Sequence, residues 1–347
     1  MSVGPLRLSL LVPRLLGPLP GMDLKGFPAP NCPALNKLLA RANRITKTGT
    51  ADALRYTLFN YALPDHQDRP DGWLSYQIDT GAVPNGVVLR ADPVHLRADQ
   101  HRLVLFAADQ LTITPEEAQA LAESFNQLYA ADAMQLEAPT PTRWYLRLTE
   151  SPALRTTPLT QIIGRDIDKH LPTGTNAQHW RRFSNEVQML FHEHPVNRAR
   201  EARGKPLINS LWLWGGGKPV SPVAQTWQRI WTADIVTQGL ARLNSLRCSE
   251  PPEDAANWLA QVVGDEHLLT IETVQNPVAY ADVEDWYAAV ENLELRWFAP
   301  LLSALGQGRL RELRLLPANG QEYRVTRWDL LRLWRPVRPL PNVALSK

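Results

Sequence analysis

Cysteine is scarce in this chain: two in 347 residues, Cys32 and Cys248, in none of the C-x-x-C spacings of metal or redox motifs. That scarcity argues against a disulfide-stapled secreted scaffold and a structural zinc, and it fits a reducing cytoplasm. An excess of one charge is missing as well. Thirty-seven basic residues stand against 35 acidic ones, a formal net charge of +2, too weak a field to argue for nucleic acid or an anionic membrane as partner. Nor is there an apolar run of bilayer length. The nearest thing to a leader is residues 1–21, where Arg7 precedes a short apolar stretch that Pro13 and Arg14 interrupt. A first buried strand accounts for it.

Several catalytic signatures are absent too. There is no G-x-S-x-G nucleophile elbow, and neither cysteine sits where a thiolate would be activated. The run Gly215-Gly216-Gly217-Lys218 lacks P-loop spacing and is followed by Pro219, while Gly306-Gln307-Gly308 lacks a third glycine and follows a helix instead of a strand. His192 and His194 are two apart, about 200° around a helix, so they cannot share a metal from one face. From these residues we expect no metal and no cofactor.

What is present reads as mixed α/β, long enough for two domains. Strands are expected over residues 6–12, 103–106, 144–148, 208–214 and 268–274. The clearest helix starts at Thr114, where Thr-Pro-Glu-Glu supplies a cap, a first-turn proline and a Glu three residues on, followed by an apolar face of Ala118, Leu121, Ala122, Phe125, Leu128 and Tyr129. A second helix is expected over 176–191, with Trp180, Phe183, Val187 and Leu190 inward. A third starts at Asp282, carries Trp286, Val290, Leu293 and Trp297 inward, and should kink or end at Pro300. Residues 310–316 and 322–326 flank Pro-Ala-Asn-Gly, a hairpin signal. Stretches 64–72 and 248–254 read as exposed loops. Twelve tryptophans, four of them Trp212, Trp214, Trp227 and Trp231, fit a bulky core better than a stacking platform.

The most concentrated site signal is residues 192–218. His194, Asn197, Arg198 and Asn209 surround an apolar strand that ends in Gly215, Gly216 and Gly217, as in anion pockets at strand ends. A second group, Arg90, Asp92, His95 and Arg97, could add guanidinium groups suited to carboxylate or phosphate, or it could be an ion-pair cluster around a turn.

At these residues the chain resembles a known family. LRADPVHLRAD, NEVQMLFHEHPVN and INSLWLWGGG together resemble the RpfE-type bacterial regulatory proteins, named for regulation of pathogenicity factors, over nearly the whole chain. Those proteins in turn look like distant relatives of the archaeal-type cofactor-independent phosphoglycerate mutases of the alkaline phosphatase superfamily. The resemblance implies a split core over 1–89 and 221–347 with an inserted α/β domain over 90–220. Residues 233–243, ADIVTQGLARL, resemble the return into the catalytic half.

An active mutase of that kind needs two divalent metals, a Ser nucleophile and Asp and His ligands spread along the chain. Here the first metal motif is matched by Pro13 and Arg14, and the last by LRLLPANGQEYR, which holds neither Asp nor His. The nucleophile motif is matched only by Gly49-Thr50-Ala51-Asp52. Residues 271–294 keep Asp282 and Asp285 without a histidine. The expected function is therefore a degenerate, non-catalytic regulatory relative with an anion or phosphometabolite pocket. An active mutase or phosphohydrolase, and an interaction protein with no small ligand, are the alternatives. The expected partners are a phosphorylated small metabolite or another protein.

Overall fold

The structure, a computed structural model, describes residues 6–17, 28–46, 50–64, 67–99 and 102–340. In chain order the first elements are β1 (Arg7–Leu11), α1 (Pro33–Arg41), β2 (Asn43–Thr46) and α2 (Ala51–Leu58). Next come α3 (Asp71–Thr80), β3 (Val87–Asp99), β4 (Arg102–Ala107), α4 (Pro115–Leu128), β5 (Met134–Glu137) and β6 (Tyr145–Leu148). A small ribbon, β7 (Leu154–Arg155) and β8 (Thr173–Gly174), flanks α5 (Leu159–Ile162), and α6 (Ala177–His192), α7 (Pro195–Ala202) and β9 (Ser210–Trp214) follow. The last stretch holds β10 (Arg229–Trp231), α8 (Ile235–Leu243), β11 (Cys248–Ser249), α9 (Ala255–Gln261), β12 (Glu266–Thr270) and α10 (Gln275–Ala279). It closes with α11 (Val283–Leu293), α12 (Ala299–Gly306), β13 (Glu312–Leu316) and β14 (Gln321–Thr326).

Two compact units result. One comprises Met1–Ala62 with Pro222–Lys347, the other Leu63–Ser221. The core is split as expected, but the first division falls at 62/63 where the sequence led us to expect 89/90. The cause is α3, which belongs with β3: a side chain at Gly72 would stand 2.4 Å from the Val88 carbonyl oxygen, so only glycine lets helix and strand meet.

The first unit is built on a seven-stranded sheet in the order β11-β10-β12-β1-β13-β14-β2. Strands β11 to β13 run parallel, while β14 and β2 are antiparallel additions. Leu8, Leu10, Trp231, Leu269 and Leu315 join a core with α1, α9, α11 and α12. The proposed hairpin forms, although its positive backbone angles fall on Ala318 and Gly320 instead of Asn319. At Pro300 the helical run does not stop, passing from α11 into α12. A five-residue π-helical turn, Glu294–Phe298, absorbs the missing proline N–H and places Pro300 in the first turn of α12. That turn also buries Glu294, whose carboxylate accepts from the backbone N–H groups of Ala34 and Leu35 and so caps α1 from a distance.

The second unit is a five-stranded sheet, β4-β3-β6-β5 with β9 on the other half of the long β3. One face carries Leu89, Ala91, Leu136, Leu146, Leu211 and Leu213 against α4 and α6. Helix α4 has the expected capping box, Thr114 and Glu117 each bonding the other's backbone N–H. In α6, Trp180, Phe183 and Val187 are buried, while Leu190 is only half-buried. Of the clustered tryptophans, Trp212 and Trp214 are buried in this unit and Trp227 and Trp231 in the first, as core residues. Among the described residues no helix is long and apolar enough to cross a membrane.

Candidate functional site

In the second unit the sequence-predicted residues form several separate arrangements. Arg90 and Asp92 are adjacent same-face positions on β3, both buried, joined by Nη2 and Nε to Oδ1 contacts of 2.5 and 3.1 Å. The other Asp92 oxygen accepts from the Trp214 indole at 2.7 Å. The Arg90 guanidinium is sandwiched by aromatic faces, 5.4 Å from the Tyr145 centroid and 5.2 Å from that of Trp214. Asp92 holds the Arg90 pKa above its ordinary value against the opposing effect of burial. This is a closed, buried ion pair on the sheet face opposite Leu89 and Ala91, not a surface cluster. Arg97, by contrast, is exposed and lies over the Phe106 ring. His95 contacts the Leu207 carbonyl through Nδ1 at 2.9 Å, and burial lowers its pKa.

Around α7 the polar groups serve the backbone. Asn197 is 1 % exposed and donates to the carbonyls of Phe191 and Ile208 while accepting from the Ile208 N–H. Asn209 bonds both the N–H and the carbonyl of Leu96. His194 caps α7, its Nδ1 accepting from Val196 N–H, and its Nε2 lies 2.9 Å from the Ser124 hydroxyl; burial lowers its pKa. Arg198 is exposed. Arg200, which sequence reasoning passed over, is fully buried and bonds the carbonyls of Pro206 and Leu111 and the Glu117 carboxylate. The spacing of alternating Arg residues gave no hint of this, because burial of one of them depends on where α7 docks.

Gly215, Gly216 and Gly217 have a packing role here. Gly215 accepts from the Gly72 N–H and Gly217 donates to the Arg69 carbonyl. A side chain at Gly217 would meet the Asp68 carbonyl oxygen at 2.0 Å. The expectation of an exposed loop over 64–72 is therefore corrected at its end: Pro70, Asp71 and Gly72 are buried against the glycines.

The first unit presents a second arrangement at the carboxyl edge of its parallel strands, where open α/β sheets usually place ligands. Arg55 of α2, 4 % exposed, reaches three carboxylates from three elements. Its guanidinium lies 3.0 Å from Asp52, 3.1 Å from Asp234 at the start of α8, and 3.6 Å from Glu272 beyond β12. Asp234 also caps α8 through the Thr237 N–H and hydroxyl. Thr232 and Thr270, at the ends of β10 and β12, share a 2.5 Å hydroxyl contact. Burial, then repulsion from Asp234, pushes Glu272 up to about 7. Only the sequence around Asp52 drew attention beforehand; Arg55 and Glu272 gave no motif.

The edge does not fit the two-metal centre that the family resemblance implies. Beyond β1 stand Val12, Pro13 and Arg14, with the Val12 and Arg14 N–H groups bonded to the carbonyls of Leu316 and Pro317. No group of three or more His, Cys, Asp or Glu side chains able to hold a metal occurs among the described residues. The available carboxylates face a guanidinium, which a divalent cation would have to displace. His267 lies inside β12 against Trp231 and Trp258. The Thr50 hydroxyl accepts from the Ala53 N–H as an α2 cap, and Gly49 lies outside the described residues. Asp282 likewise caps α11. Burial raises both thiols, Cys32 to about 12 and Cys248 to about 11, so neither is an activated thiolate.

Comparison with known proteins gives a likeness over part of the chain. Residues 77–197 match the family model described as 2,3-bisphosphoglycerate-independent phosphoglycerate mutase. A mutase of that name from Methanothrix thermoacetophila is 31% identical over 181 residues, 46% of either chain. A probable one from Geobacter sulfurreducens is 29% identical over 133 residues, 38% of this chain and 33% of its own. The match thus spans half or less of the length of these relatives. Among solved structures, the PH0037 protein from Pyrococcus horikoshii aligns over 91% of this chain and 82% of its own, with a TM-score of 0.50 and 14% identity, which is a likeness of fold. Part of the chain, residues 77–197 above all, is thus similar to the 2,3-bisphosphoglycerate-independent phosphoglycerate mutases, and the chain as a whole has a mixed α/β fold like that of the PH0037 protein.

Proposed function

We propose that this protein is a regulatory, non-catalytic relative of the phosphoglycerate mutases, of the RpfE type. The observation that carries the reading is Arg55: one buried guanidinium engages Asp52, Asp234 and Glu272 at the strand edge where metal-assisted phosphoryl transfer would need free carboxylates. The absence of Asp and His from residues 12–17, directly after β1, and from the β13–β14 hairpin adds to it. Two cysteines, neither in a disulfide, are consistent with a reducing cytoplasm. A phosphorylated metabolite remains the ligand class suggested by the relatives' names. The exposed Arg97 and Arg198 and the half-buried His95 are the members of the sequence-predicted set with polar atoms left to meet it.

The test pairs elemental analysis after manganese loading with a mutase assay on 2- and 3-phosphoglycerate. The reading expects neither near-stoichiometric manganese nor turnover. Two bound metals per chain with turnover would restore the active-mutase alternative.

A further inference from the structure

Of the ten exposed large apolar side chains among the described residues, five fall within ten consecutive positions: Trp328, Leu331, Leu333, Trp334 and Val337. Single exposures of this kind are ordinary, but a concentration of them marks a contact surface. The segment is not loose. Arg41 donates to the carbonyls of Arg332 and Arg335, Arg335 donates to the Ala42 carbonyl at 2.6 Å, and Arg332 donates to Asn43 at 2.7 Å. The apolar side chains are therefore held out on a fixed backbone.

Beside this segment lies a cavity of about 600 Å³, with Asn36, Asn43, Arg44, Arg335 and Arg338 in its wall. Among the described residues no carboxylate pairs with Arg41, Arg44, Arg335 or Arg338. The one acid of the stretch, Asp329, is taken by Arg332 at 2.6 Å. The Nε of Arg41, a side chain 6 % exposed, has no acceptor. Arg44, Arg335 and Arg338, three guanidinium groups lining one cavity without carboxylates, in a chain whose net charge is only +2, form a local surplus that an anionic partner would complement.

We infer that this face docks an acidic segment of a partner protein, its carboxylates on the arginines and an apolar side chain against the Trp328–Val337 cluster. Tryptophan and arginine together are the residues that dominate protein interfaces. A small anion would leave the five apolar side chains without a role. A lipid surface fits less well, because the arginines line a concavity and Pro336 and Pro339 prevent the amphipathic helix that lies in a bilayer interface.

The test is a fluorescence anisotropy titration of the full chain with a short labelled peptide alternating Glu and Leu, and with its Lys-for-Glu counterpart. Saturable binding of the acidic peptide alone is expected, weakened about ten-fold or more, or at least about 1.4 kcal/mol, in R44E/R338E and in Trp334→Ser. Both variants alter exposed side chains, and an unchanged melting temperature checks that they fold. Absence of saturation, equal affinity in the variants, or equal affinity for the Lys peptide overturns the proposal. Binding to phosphatidylglycerol vesicles with no binding of the peptide overturns it in favour of a membrane surface.

Discussion

Arg55 Nε lies 3.1 Å from Asp234 Oδ2, the same oxygen that accepts from the Thr237 N–H at the start of α8. One carboxylate thus anchors a buried cation and a helix end together. Removing the guanidinium leaves Asp52 and Asp234 buried and uncompensated, so Arg55→Ala should cost about 3–5 kcal/mol of stability. Urea denaturation measures it. Manganese should raise the melting temperature of the variant and leave the parent unchanged, since only the variant leaves Asp52 and Asp234 without their cation. A parent stabilised equally by manganese would contradict the assignment of Arg55 as the resident cation.

The same cluster sets a pH dependence. Glu272 ionises near 4.5 in an unfolded chain and near 7 when folded, because burial first and Asp234 second disfavour its charge. A folded pKa above the unfolded one gives stability that is fully present below 4.5 and lost as pH rises through 7. Glu272→Gln removes that loss. Its melting temperature should match the parent's at about pH 5 and exceed it at about pH 8. The side chain keeps 36% exposure, so solvent screens part of the effect. A constant difference between parent and variant across the window would dissociate Glu272 from it.

Local rules made α4 legible, because its capping box and apolar face are contained within Thr114 to Tyr129. They made the α/β class legible too, since β1, β6 and β9 are short apolar runs of the kind that sheets bury. Glu294 was not legible. Its burial depends on a π-helical turn created six residues before Pro300 and on the amino end of α1, some 260 positions away. The site divides in the same way. Arg90 and Asp92 lie two apart on one strand, so their ion pair is local in sequence, whereas Arg55 and Glu272 meet only because α2 and the end of β12 converge in the fold.

The glycine triplet gives a discriminating pair of substitutions. At Gly217 an added methyl carbon would meet fixed backbone, the Asp68 carbonyl oxygen at 2.0 Å and the Arg69 carbonyl carbon at 2.5 Å. At Gly216 it would meet the Leu89 side chain at 2.8 Å, which can shift. Gly217→Ala should therefore destabilise by about 3 kcal/mol or more and Gly216→Ala by about 1–2 kcal/mol. Denaturant midpoints rank them, and the reverse order would mean that the triplet is not held against residues 68–72.

Asn197 and Arg198 are neighbours in sequence and opposites in role. Asn197 satisfies three backbone groups, the carbonyls of Phe191 and Ile208 and the N–H of Ile208, in a site 1 % exposed. Truncation to Ala leaves all three unpaired away from water, which should cost about 2–5 kcal/mol. Arg198 is exposed, and Arg198→Ala should stay within about 0.5 kcal/mol of the parent. Isothermal titration with phosphoglycerate completes the comparison. If the ligand reading is right, Arg198→Ala loses affinity without losing stability, because a surface guanidinium meeting phosphate has no structural duty to lose. Equal destabilisation by both substitutions would mean that the α7 docking seen here is wrong, since the hydrogen bonds of Asn197 are what separate the two residues.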